Sequence, residues 1–128
     1  MKLLRDTHIQ IAAIGRRLHS QHPKTARLLD RDDSQPHASG ASLREIALET
    51  RLGKLNPGMS SDLLPQAVQA SGIGIVPIRQ AHALVTVEPV LPTGDPVDRM
   101  RLAQCQVEDC LLVTVDGAPR DHPLAMRI

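Results

Sequence analysis

The sequence has 128 residues, of which 41% are apolar and 23% charged, so we expect one domain spanning residues 1–128. A formal net charge of +1 excludes general electrostatic attraction to nucleic acid or anionic membranes, so any polyanion has to be bound locally. No apolar run reaches the length of a membrane span, and the N-terminus lacks the apolar core of a signal peptide. These features predict a cytoplasmic protein without a membrane partner.

Phe, Tyr and Trp are all absent, so the core has to be built from aliphatic side chains and methionine. Their absence excludes base stacking on aromatic rings as a means of binding single-stranded nucleic acid. It also indicates a sequence that has been degraded, has diverged far or has been altered.

Hydrophobic periodicity, capping residues and turn residues divide the chain into predicted elements. In chain order they are a strand over 2–6, helices over 7–19 and 23–30, a strand within 31–40, helices over 42–55 and 61–70, a strand over 73–78, helices over 80–87 and 96–108, a strand over 111–115 and an edge strand over 124–128. The strand within 31–40 is required by the α/β pattern, although Pro36 fits only a sheet edge or a strand start. Because strands alternate with helices, we predict the α/β class with a mostly parallel central sheet.

Two of the predicted helices begin with the spacing of a capping box, at Thr7 and at Ser42. Asp95 is predicted to cap the helix over 96–108, with Pro96 at its first position.

Four acidic residues are expected at equivalent places in this fold. Asp6 and Asp116 follow predicted strands, whereas Glu45 and Asp98 fall in the first turn of predicted helices. Taken singly, each has a structural explanation as a helix cap, a first-turn acid or a turn residue. In a parallel sheet, however, strand ends and the following helix N-termini share one edge, so the four acids are expected to converge.

Converging carboxylates repel each other unless a cation binds between them. Oxygen ligands favour Mg²⁺ or Mn²⁺, and such an ion supports phosphodiester cleavage by an activated water. The acidic cluster therefore predicts a metal-dependent phosphodiesterase site.

Four stretches, in the same order, resemble the motifs of PIN-domain proteins of the VapC toxin type. They are LLRDTHI (3–9), ASLREIA (41–47) with RLGKL (51–55) after it, DPVDR (95–99) with AQ (103–104), and LVTVD (112–116). The resemblance covers nearly the whole chain. It implies a PIN-like three-layer α/β/α fold with a mostly parallel central sheet.

The resemblance implies an endoribonuclease that depends on Mg²⁺ or Mn²⁺ and is the toxin of a type II toxin–antitoxin system. It implies RNA as substrate, a cognate antitoxin as partner, and a homodimer. The residues that it implies as catalytic and metal-binding are Asp6, Glu45, Asp98 and Asp116. Thr7 and Thr114 are implied to orient carboxylates or water, and Asp95 is an accessory acid for which helix capping is the stronger assignment.

Three arginines depart from the family pattern, because Arg5, Arg44 and Arg101 stand where apolar or aromatic residues are usual. They favour an alternative function, a catalytically impaired PIN-like interaction module. The missing aromatic residues favour a further alternative, an altered sequence that keeps the acids without activity. An unpaired charge in a central strand is costly, so Arg5 is expected to pair with Asp6 or a neighbouring acid and, if so, to compete with the metal.

Overall fold

The computed structural model describes residues 1–92 and 94–128. Within them, a four-stranded sheet forms the centre of the fold, and every strand pairing is parallel. Its strands are β1 (Lys2–Arg5), β2 (Gln35–Ser39), β3 (Gly74–Val76) and β4 (Leu111–Val113), in the spatial order β3–β2–β1–β4. The predicted α/β class is confirmed, with a sheet that is wholly parallel over these strands.

Helices cover both faces of this sheet. They are α1 (Thr7–Ile14), α2 (Leu18–Gln21), α3 (Pro23–Leu29), α4 (Gly40–Arg51), α5 (Leu64–Ala70), α6 (Gln80–Leu84), α7 (Pro96–Glu108) and α8 (Gly117–Arg120), with a 3-10 turn (Ser61–Leu63) before α5. Successive β1 residues point to opposite faces, so Leu3 packs with Ile9 of α1 while Leu4 packs with Leu102 of α7. The predicted helices over 23–30, 61–70, 80–87 and 96–108 are confirmed, with ends that differ by a few residues.

The predicted capping boxes at Thr7 and Ser42 are wrong. Oδ1 of Asp6 accepts the backbone N–H of Ile9 at 2.8 Å and caps α1. Oγ of Ser39 accepts the N–H of Ala41 at 3.0 Å and caps α4. The helix α1 begins at Thr7 as predicted but is capped by the residue before it, whereas α4 begins at Gly40, two residues before Ser42.

The earlier start of α4 moves Glu45 from the first turn, where it was predicted, into the second. Asp98 lies in the first turn of α7 as predicted, and the cap at Asp95 followed by Pro96 is confirmed.

The strand β2 lies inside the sheet, although Pro36 predicts an edge strand or a strand start. The ladder between β2 and β3 begins at His37, so Pro36 pairs only with Leu3 of β1. Its missing N–H therefore removes no bond from the β2–β3 ladder.

Two further predicted elements differ in extent. The helix predicted over 7–19 ends at Ile14, and Arg16 has a φ of 56°, which is incompatible with a continuous right-handed helix. The predicted edge strand over 124–128 is replaced by an isolated parallel bridge between Leu112 and Ala125. Within the described ranges, no helix is both long and apolar enough to cross a bilayer.

A buried histidine joins α6 to the C-terminal end of α7. Nδ1 of His82 accepts the backbone N–H of Arg79 at 2.9 Å, so Nε2 carries the hydrogen that is donated to Oε1 of Glu108 at 2.9 Å. This hydrogen bond holds the pKa of Glu108 below its ordinary value.

We expect Glu108→Gln to destabilise the protein at pH 7 by about 1 kcal/mol or less, because the amide accepts the same hydrogen bond without the charge. The lowered pKa stabilises the fold above the ordinary glutamate pKa of about 4.3, and this contribution is lost as pH falls through the folded-state value. Urea unfolding at pH 7 and pH 3 measures the difference. The control Glu49→Gln on α4 is expected to change stability little at either pH, and an equal loss in both variants would contradict the assignment.

Candidate metal centre

The carboxyl ends of β1 and β4 lie side by side, and each leads into an acidic residue. Arg5 of β1 pairs with Val113 of β4, and the backbone N–H of Asp6 continues this contact to the Val113 carbonyl at 3.0 Å. Asp116 follows after two residues of connecting backbone. The register of one parallel ladder therefore places Asp6 and Asp116 at the same edge of the sheet.

The Asp6 carboxylate is fully buried and held on both oxygens. Oδ1 accepts the N–H of Ile9, while Oδ2 accepts the hydroxyl of Thr114 and the N–H of Val115, the latter at 3.3 Å. Burial raises the pKa of Asp6, and the hydrogen bonds from Thr114 and Ile9 act in the opposite direction. A cation beside this carboxylate would favour its charged form.

His8 and Asp116 stand next to Asp6 at the solvent side of this edge. Nδ1 of His8 lies 3.0 Å from Oδ1 of Asp116, and their side chains are 63% and 34% exposed. One ligand atom from each of Asp6, His8 and Asp116 lies within 4.8 Å of the others, and no other such group of His, Cys, Asp or Glu occurs in residues 1–92 and 94–128. These three ligand atoms are close enough together to contact one divalent ion; the two carboxylates are ligands that Mg²⁺ and Mn²⁺ prefer, whereas the imidazole is not.

Thr114 connects the two carboxylates of this group. Its hydroxyl donates to Asp6 and accepts the backbone N–H of Asp116 at 3.1 Å. A threonine hydroxyl thus fixes one carboxylate directly and positions the backbone that carries the other.

Glu45 and Asp98 lie outside that group and face an arginine instead. Nη2 of Arg101 donates to Oδ1 of Asp98 at 2.6 Å, and Nη1 lies 3.8 Å from Oε1 of Glu45. Arg101 is only 2% exposed. Burial raises the pKa of Asp98, and the charge and hydrogen bond of Arg101 oppose that shift.

Two hydroxyls accept hydrogen bonds from Nη1 of Arg101, while its buried Nε has no hydrogen-bond partner among the described residues. Nη1 donates to Oγ1 of Thr7 at 2.8 Å and to Oγ of Ser42 at 3.2 Å. Thr7 therefore orients the arginine in this structure. The position of Arg101 three residues after Asp98 is a sequence signal for an ion pair, whereas Ser42 is 59 residues away and has no such signal.

Asp95 is engaged as a helix cap. Its Oδ1 accepts the N–H of Val97 at 2.9 Å and that of Asp98 at 3.4 Å. Its negative charge also contributes to raising the pKa of Asp98. Asp95 therefore influences the site through α7, and its carboxylate is outside the group of Asp6, His8 and Asp116.

Arg5 makes no ion pair with Asp6 in the part of the chain that the structure describes. Its side chain lies on the opposite face of β1 from Leu4 and lines a cavity of about 480 Å³ that Asp30 also lines. Burial lowers the pKa of Arg5, and the charge of Asp30 opposes that shift. The neighbouring acid of Arg5 is thus Asp30 and not Asp6.

Comparison with known proteins adds no relative. None of the protein-family models that were scanned matches this chain, and no curated protein matches it.

Thr114→Val is expected to lower the affinity for Mn²⁺ by about tenfold, because the Asp6 carboxylate loses a donor and the Asp116 N–H loses its acceptor. Unfolding free energy should fall by about 1–3 kcal/mol for the same reason. Thr114→Ser keeps the hydroxyl and should retain most of the affinity. Calorimetric titration with Mn²⁺ and urea unfolding measure both quantities, and equal affinities for the two variants would contradict this role.

Proposed function

We propose that this protein is a divalent-metal-dependent endoribonuclease of the PIN-domain type, the toxin of a type II toxin–antitoxin pair. The observation that carries the proposal is the approach of Asp6, His8 and Asp116 at the carboxyl edge of a parallel sheet. The four motifs that resemble the family, in the family's order, support the same assignment.

Under this proposal, Asp6, His8 and Asp116 hold one Mg²⁺ or Mn²⁺ ion. When bound, the ion supplies a water of lowered pKa and neutralises charge on a phosphodiester oxygen. Asp6 is the rigid member of the set, because its carboxylate is buried and hydrogen-bonded on both oxygens.

His8 and Asp116 are the members that a substrate reaches, because both side chains are partly exposed. Nδ1 of His8 lies within hydrogen-bond distance of Asp116, so the imidazole is placed to orient that carboxylate. Asp98 and Glu45 neutralise the buried Arg101 beside this set.

We expect the purified protein to cleave RNA in the presence of Mg²⁺ or Mn²⁺ and to lose that activity in excess chelator. Asp6→Asn keeps an acceptor for the α1 cap but removes the negative charge. Asp116→Asn removes the negative charge of the more exposed carboxylate. Substituting a group that only supports a metal ligand typically lowers activity by roughly 10- to 100-fold. Because Asp6 and Asp116 are ligands under this proposal, each variant should lower the cleavage rate by more than that. A gel assay on a defined RNA measures the rates.

The matched control is Asp62→Asn, which removes an exposed acid from the 3-10 turn before α5. Its rate should equal that of the parent chain. Metal-independent cleavage, or unchanged rates in Asp6→Asn and Asp116→Asn, would contradict the proposed function.

A catalytically impaired PIN-like interaction module is the second candidate. The Arg101 guanidinium favours it, because this side chain supplies positive charge to the acidic cluster without any metal. A folded protein that binds no Mn²⁺ and cleaves no RNA would support this candidate over the nuclease. A cognate antitoxin and a homodimer belong to the proposal through the family resemblance, and sedimentation of the purified chain tests the dimer.

A further inference from the structure

We propose that the Arg101 guanidinium is the permanent cation of the Glu45 and Asp98 half of the acidic cluster, so that the centre accepts one divalent ion and not two. The inference rests on the proposed function, because it concerns the same metal centre. It changes what Glu45 and Asp98 do there, since both pair with a side chain of this protein.

The contacts of Arg101 hold its charge in one place. Nη1 uses both of its hydrogens, on Thr7 and Ser42, and Nη2 donates to Asp98 at 2.6 Å. The acceptors come from three different helices, so the guanidinium cannot turn away without breaking contacts to α1, α4 and α7 together.

Burial makes this charge a fixed property of the site. Arg101 is 2% exposed, and a guanidinium stays protonated throughout the physiological pH range. A divalent ion between Glu45 and Asp98 would have to displace the guanidinium or lie beside it, where the two positive charges repel. The Glu45 and Asp98 carboxylates are therefore withheld from a metal.

The other half of the cluster has no such occupant among the described residues. Asp6, His8 and Asp116 bring ligand atoms together, and two of them reach solvent. Arg101 does influence Asp6 electrostatically, because its charge acts to lower the pKa of that carboxyl. Arg101 is therefore a positioning residue that sets ion number and affinity without reaching the substrate.

The test is the number of Mn²⁺ ions bound, measured by calorimetry and by loss of the free-ion paramagnetic resonance signal. The parent chain is expected to bind one ion, and Arg101→Met, which keeps length and removes charge, is expected to bind a second. Arg101→Lys keeps the charge and should still bind one. The double variant Arg101→Met with Asp98→Asn should return to one ion.

A second variant decides the question if Arg101→Met does not fold, which circular dichroism would show. Asp98→Asn with Arg101 intact should keep one bound ion, because Asp98 holds no metal under this proposal. A fall from two ions to one in Asp98→Asn would overturn it.

The remaining outcomes separate this inference from the proposed function. One ion in both the parent chain and folded Arg101→Met would overturn the role of Arg101 and leave the nuclease proposal intact. Ions bound only after Arg101→Met would overturn the one-ion centre, because Arg101 would then exclude every ion, and would also contradict a metal-dependent activity of the parent chain. Binding to neither protein would contradict both.

Discussion

The buried ion pair between Arg101 and Asp98 is the interaction on which the functional edge of the molecule depends. It spans one turn of α7, and through Thr7 and Ser42 it ties that helix to α1 and α4. Removing one partner of a buried pair typically costs about 3–5 kcal/mol, because the other charge is left uncompensated. The relative positions of α1, α4 and α7 around Asp6 therefore depend on Arg101, a buried residue that a ligand in solvent does not reach.

This pair divides the acidic cluster into a closed half and an open half. In the closed half, Glu45 and Asp98 are neutralised by a buried guanidinium. In the open half, Asp6 is fixed by its neighbours, while His8 and Asp116 are accessible. Under the proposed function, the buried Asp6 carboxylate would be the rigid ligand, and the substrate would approach from the side of His8 and Asp116.

The aliphatic core is sufficient to place this edge. Leu3 and Leu4 on β1 pack into separate clusters on the two faces of the sheet, and both are fully buried. On the same strand, Arg5 is buried and its Nε has no hydrogen-bond partner among the described residues. Burying this unpaired polar group lowers the stability of the fold. The charge of Arg5 nonetheless faces Asp30 and not Asp6. Burying Arg5 therefore occupies no ligand of the proposed metal centre.

Capping and hydrophobic periodicity are local properties of a chain, so the order of amino acids correctly predicts the α/β class, the cap at Asp95 and the first-turn position of Asp98. It also indicated the placement of Asp6 and Asp116 at strand ends, since short apolar runs show where strands stop. Capping-box spacing misplaced the caps of α1 and α4, because Asp6 and Ser39, which precede the expected caps, accept helix N–H groups instead.

The grouping of Asp6 with Asp116, and the pairing of Glu45 and Asp98 with Arg101, arise only in the folded chain. Arg101 meets Ser42 across 59 residues and Thr7 across 94, and no local pattern encodes contacts at such separations.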